Sequence, residues 1–266
     1  MILSSPGCVA FEIFGFPVYF YGITMACAVL VGFWITYWVG QKYYEQKNII
    51  FDLAPWLIIT GFLGARIYYC LLNYQYYSEH VTEIFNIRQG GLSIHGMFLA
   101  CVLFLIIFAH FKKISFWELG ASMVLGVSVA QSIGRWGNFF NSEAFGRPFD
   151  GFLKLYIAPQ YRPVEFADCE YFHPAFLWES LLDLAIFVIL FFIMRKTNGK
   201  NPLFITSLYF FMYSIVRILI ENIRTDSVCY VFNQPVAIIV SVMIMFISLS
   251  GILYSVILAR SNLHNE

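Results

Sequence analysis

Charge is what this sequence has least of: 12% of its 266 residues are Asp, Glu, Lys or Arg, about half the share of an ordinary soluble domain. That scarcity excludes a water-soluble globular enzyme. Sixteen Lys and Arg balance sixteen Asp and Glu, so the basic footprint of a nucleic-acid-binding protein is missing. The net charge and low hydrophobicity of a disordered chain are missing too. The six cysteines, Cys8, Cys27, Cys70, Cys101, Cys169 and Cys229, show no CxxC spacing, which argues against a zinc site or a redox pair. No Lys or Arg falls within the first 16 residues, so the positive start of a cleavable signal peptide is lacking and the first apolar run is expected to remain.

What the sequence has in abundance is apolar surface, at 60% hydrophobic and 20% aromatic residues. This points to an all-α integral membrane protein, one domain over residues 1–266. Seven transmembrane helices are expected at about residues 17–40, 53–73, 92–111, 116–139, 175–194, 203–221 and 234–259. Pro17 is read as opening the first, Asp52 and Pro55 as flanking the start of the second, Asn201 and Pro202 as preceding the sixth, and Pro235 as starting the seventh. One long connection remains, at about 140–174. Eight Lys and Arg (Lys42, Lys47, Lys112, Lys113, Arg195, Lys196, Lys200, Arg260) fall on one side of this arrangement. Five (Arg88, Arg147, Lys154, Arg162, Arg224) fall on the other. The positive-inside rule makes the first side cytoplasmic, which puts the N-terminus and the long loop outside and the C-terminus inside.

Ionisable groups in lipid-spanning helices cost several kcal/mol unless paired or hydrated, so each is a functional hypothesis. Arg66, His95, Arg135, Glu179, Asp183, Arg217 and Glu221 are such groups, and all but Asp183 are expected in one outer layer across five helices. An inner half nearly free of charge weakens a channel or pump. A cavity open to the outer leaflet, lined by cations, suits an anionic ligand of that leaflet, such as a phospholipid head group.

The densest motif is GRWGNFFNSEAFG, residues 134–146. Arg135 offers a fork for a phosphate, Asn138 and Asn141 offer amides, and Glu143 can orient Arg135 or accept a proton. An interfacial helix end with an anchoring arginine is the plainer alternative. GGLSIHG, residues 90–96, suggests a bent entry to the third span, and His95 is its natural acid or base, or else a capping histidine. Arg217 and Glu221 are one turn apart and can pair. Arg66, Glu179 and Asp183 read as packing or pairing groups. Tyr21 belongs either to an aromatic belt or to the cavity.

In chain order, VYFYGI, FLGARIYY, GGLSIHG, IGRWGNFFNSEAFG, HPAFLWE and RILIENIRTD resemble the prolipoprotein diacylglyceryl transferase family over nearly the whole chain. The resemblance implies a bacterial inner-membrane enzyme that moves the diacylglyceryl group of phosphatidylglycerol to the lipobox cysteine of a preprolipoprotein signal peptide. Lipoprotein maturation begins with that step. It also implies His95, Arg135 and Arg217 as catalytic residues and Tyr21, Asn138, Glu143, Gly146 and Glu221 in the same site, with Asn141 added from its spacing. Neither cofactor nor metal is implied, and the partners are the lipid, the signal peptide and the surrounding membrane lipids, with no nucleic acid. The family commonly reads HGG and GGR where this chain has His95-Gly96-Met97 and Gly64-Ala65-Arg66, which adds bulk where helices or lipid approach closely. A lipid or anion transporter and a non-catalytic scaffold are the competing classes. The first would need polar or broken segments in the inner half, and the second would not explain polar groups gathered at one depth.

Overall fold

The computed structural model describes residues 1–86, 90–225, 230–231 and 234–264. Arg88 and Cys229 lie outside the described residues. Seven helices among the described residues are long and apolar enough to cross a membrane. They lie within α1 (Phe20–Tyr44), α2 (Lys47–Leu72), α4 (Ile94–Lys112), α5 (Phe116–Phe140), α6 (Ala175–Thr197), α7 (Pro202–Glu221) and α8 (Val236–His264). A short α3 (Tyr74–Glu79) follows α2. Large apolar side chains stand exposed along these helices, among them Leu30, Phe246 and Ile247. On a soluble protein such surface would be a liability; on a membrane span it is the face offered to lipid.

Helix starts correct two expectations. Pro17 does not open α1: it sits in β3 (Phe16–Tyr19), paired with Glu12 in an antiparallel hairpin with β2 (Val9–Ile13). Phe14 and Gly15 form the turn with φ of 50° and 81°, the backbone twist that a two-residue hairpin loop requires. Nor do Asp52 and Pro55 mark the start of α2, which begins at Lys47 and carries Pro55 in its interior. Asn201 and Pro202 do start α7, with the Asn201 side chain accepting from the Phe204 N–H at 3.2 Å.

The chain divides into two compact units, residues 40–119 and the remainder. In the smaller, α2 packs along α4. A Cβ on Gly96 would collide with the Tyr68 Cβ and the Gly64 carbonyl, and one on Gly64 with Ala100. Glycine at both positions therefore lets the backbones meet, the usual basis of helix association in lipid. Arg66 is buried and donates to the carbonyls of Glu83, Ile84, Asn86, Gly90 and Gly91 at 2.7–3.3 Å. It thereby ties the segment that leads into α4 back onto α2.

In the larger unit, α8 packs along α7 with Gly251 against Ser207 and Leu203, and its Ser241, Ser248 and Ser255 are buried. These small side chains let the two helices run closely together. The long connection is a built subdomain. β1 (Ile2–Ser4) pairs in parallel with β4 (Lys154–Tyr156), which pairs antiparallel with β5 (Tyr171–Phe172). Phe145, Leu155, Ile157 and Phe172 pack on Phe176 at the head of α6, so the segment is anchored to a spanning helix. A further short pair, β6 (Tyr230–Val231) and β7 (Gln234–Pro235), precedes α8.

Candidate active site

Three helices of the larger unit bring charge together. Arg135, near the end of α5, lies 2.5 Å from Glu179 in the second turn of α6. The same Glu179 oxygen stands 3.5 Å from Arg217 on α7. Arg217 closes the chain with Glu221 at 2.7 Å, one turn further along α7. Two cations and two anions thus compensate one another, as groups withdrawn from water must. Their exposure is unequal: the guanidinium side chains are 21% and 18% exposed, the carboxylates 2% and 5%. A ligand arriving at this cluster meets cationic groups first.

The layer beneath is polar as well. Ser132 and Ser180 join α5 to α6 through hydroxyls 3.1 Å apart, and Tyr209 donates to Gln131 at 2.8 Å. Asp183, one turn from Glu179, is fully buried, and among the described residues neither of its carboxylate oxygens has a hydrogen-bond partner.

The motif following Arg135 ends α5 and turns sharply. Asn138 donates its amide to Glu143 at 2.9 Å and accepts the Glu143 backbone N–H at 3.0 Å. The Asn141 N–H closes onto the Gly137 carbonyl. Ser142 and Ala144, on either side of Glu143, are left-handed, with φ of 54° and 55°. Non-glycine residues hold that conformation only where the surroundings impose it, at roughly 1 kcal/mol or more each. The strained turn fixes where the Glu143 carboxylate sits. Gly137 leaves room for the Tyr21 ring: a Cβ there would come within 2.9 Å of it. Gly146 is pinched between His173 and Ile223, each 2.6 Å from where a Cβ would stand, and its N–H donates to the His173 carbonyl.

The structure thus joins Arg135, Arg217 and Glu221 in one network, pairs Asn138 with Glu143, and sets Tyr21 and Gly146 against neighbouring elements of the same unit. His95 belongs to the smaller unit, where it is the exposed second residue of α4. Glu179, which the sequence marks as a packing or pairing group, does pair: it is the carboxylate that both arginines share.

The chain matches the family model for prolipoprotein diacylglyceryl transferase over residues 8–254. It is 41% identical to a protein of Trichormus variabilis over 230 residues, 85% of this chain and 82% of that one. A Synechocystis protein is 37% identical over 97% of this chain and 92% of its own. For an Acaryochloris marina protein the figures are 38% over 98% and 94%. Each of the three is named phosphatidylglycerol–prolipoprotein diacylglyceryl transferase.

Proposed function

This chain belongs to the prolipoprotein diacylglyceryl transferase family, and on that premise we propose how its residues divide the reaction. The protein transfers the diacylglyceryl group of phosphatidylglycerol to a prolipoprotein. The acceptor is the lipobox cysteine of the signal peptide. Its thiol loses a proton, the sulfur attacks the glyceryl carbon bound to the phosphate ester oxygen, and that C–O bond breaks. The electron pair leaves with the oxygen, so the products are a thioether and glycerol phosphate.

The leaving phosphate gains a negative charge as the bond breaks. Arg135 and Arg217 are placed to meet it, and fixed donors in a water-poor site stabilise such charge strongly. The shared Glu179 is the observation that carries this reading, because it holds two guanidinium groups from different helices within reach of one anion. Glu179 and Glu221 act as positioning residues. A thiol is a weak nucleophile until deprotonated, and His95 is assigned as the base. Tyr21, Asn138, Asn141, Glu143 and Gly146 shape the substrate side of the same motif.

The excess of Lys and Arg at the C-terminal ends of α1, α4, α6 and α8 supports a cytoplasmic C-terminus. The N-terminus and the 140–174 segment then lie on the outer side of a bacterial inner membrane, and the polar cavity opens toward that side. Mass spectrometry tests the function directly. A lipobox peptide incubated with purified protein and phosphatidylglycerol is expected to gain a diacylglyceryl mass on its cysteine, and Arg135→Ala is expected to abolish the gain. Lipid that binds without any mass gain would overturn the reading.

A further inference from the structure

Beside the strained turn lies a cavity of about 280 Å³ whose wall is the tail of the arginine motif, from Ser142 to Phe145. Its other side is the single-turn helix Pro159–Tyr161 with Arg162 and Pro163, closed by Thr225. All of these residues lie outside the spanning helices. Resting on the transferase reading above, we propose that this cavity is the acceptor subsite, and that it holds the two or three residues that follow the acceptor cysteine in the prolipoprotein chain.

Size, polarity and continuity point to that occupant. Pockets that enclose whole small molecules run from about 300 to 1,000 Å³; this one falls just below and fits a short stretch of polypeptide. The floor is apolar where Phe145 and Ala144 are buried. The rim is mixed, with the exposed Glu143 carboxylate and Gln160 amide, and with Arg162, which is held by the carbonyls of Ile157 and Ala167. One carboxylate and one guanidinium on the same rim suit the alternating donors and acceptors of a peptide backbone. With both a carboxylate and a guanidinium in the lining, the rim favours a dipolar backbone over a lone phosphate. Glu143 also accepts from Asn138, one turn from Arg135 on α5, so the cavity adjoins the end of the helix that carries the arginine. Tyr161, 47% exposed at the mouth, is positioned to cover it, and tyrosines of this kind often dominate recognition surfaces.

The experiment compares two synthetic acceptor peptides, one ending at the cysteine and one extended by three residues, with full-length protein and phosphatidylglycerol vesicles. Tyr161→Ala is expected to raise the KM of the extended peptide about ten-fold, with the truncated peptide and the KM for lipid unchanged. An equal loss with both peptides, or a change in the KM for lipid, would overturn the assignment. Gln160→Glu provides a second, milder test at an exposed rim position. It should shift preference toward extended peptides with Lys rather than Glu after the cysteine, and an unchanged preference ratio counts against the subsite. Wild-type protein that modifies neither peptide would instead remove the transferase reading and this proposal with it.

Discussion

Glu179 on α6 receives the Arg135 guanidinium of α5 at 2.5 Å, and the arrangement depends on that one carboxylate being charged. Glu179→Gln keeps the shape but halves the acceptor capacity and removes the charge that draws Arg217 inward. Misplacing a phosphate-binding group by about 1 Å can cost roughly a hundred-fold. A loss of that order is expected in kcat/KM for phosphatidylglycerol, with a smaller loss of melting temperature than an alanine causes, because the amide oxygen still accepts a hydrogen bond from a guanidinium. Glu179→Ala would leave two partly buried cations facing each other and should also cost about 3 to 5 kcal/mol of stability. Thermal unfolding in detergent, run beside the activity assay, separates the two effects.

Arg66 presents the opposite case, a buried cation with a structural task. Among the described residues its five hydrogen bonds go to backbone carbonyls, and a flat guanidinium can reach so many only because its donors point along a fixed fork. Arg66→Lys retains the charge and loses the fork. The expected outcome is a drop of several degrees in melting temperature for Arg66→Lys and a larger one for Arg66→Ala. Activity should fall only in step with the folded fraction. A lysine variant as stable as wild type would contradict this account.

The spans were legible because each is an apolar run of helical length bounded by polar or proline residues, as at Asn201-Pro202. The N-terminal hairpin is only half signalled in the sequence: two short apolar runs flank Phe14-Gly15, whose glycine suits a two-residue turn while its phenylalanine, at positive φ, does not. Pro17 by itself does not distinguish the two, because proline fits a helix start as readily as an edge strand. The Arg217 and Glu221 pair was legible from spacing along one helix. Glu179 was not, since spacing cannot show that arginines from two other helices converge on it.

His173 supplies a pH prediction outside the spans. Its ring stacks on Phe149 with centroids 3.7 Å apart, and its Nδ1 is buried without a hydrogen-bond partner among the described residues. Burial lowers the histidine from its ordinary value of 6.5. The folded protein therefore binds this proton less readily than the unfolded chain does. Stability is full above about pH 6.5 and falls as the pH drops through the lowered value. His173→Phe keeps the stack and removes the titration. Its melting temperature should change less than that of wild type between pH 7 and pH 5.

The last expectation concerns His95, whose assignment rests on chemistry. The residue is exposed at the start of α4, so a substrate thiol can reach it, and an imidazole nitrogen can accept the thiol proton. General-base catalysis of this kind contributes roughly 10² to 10⁴. His95→Gln is expected to lose that much in kcat, with the KM for lipid little changed. The remaining activity should rise with pH, since hydroxide forms the thiolate that the imidazole no longer supplies. Full turnover by His95→Gln at neutral pH would exclude the base role and leave thiol activation to another group. An equal loss at every pH would instead make His95 a positioning residue for the acceptor, because only a missing base can be replaced by a more alkaline solution.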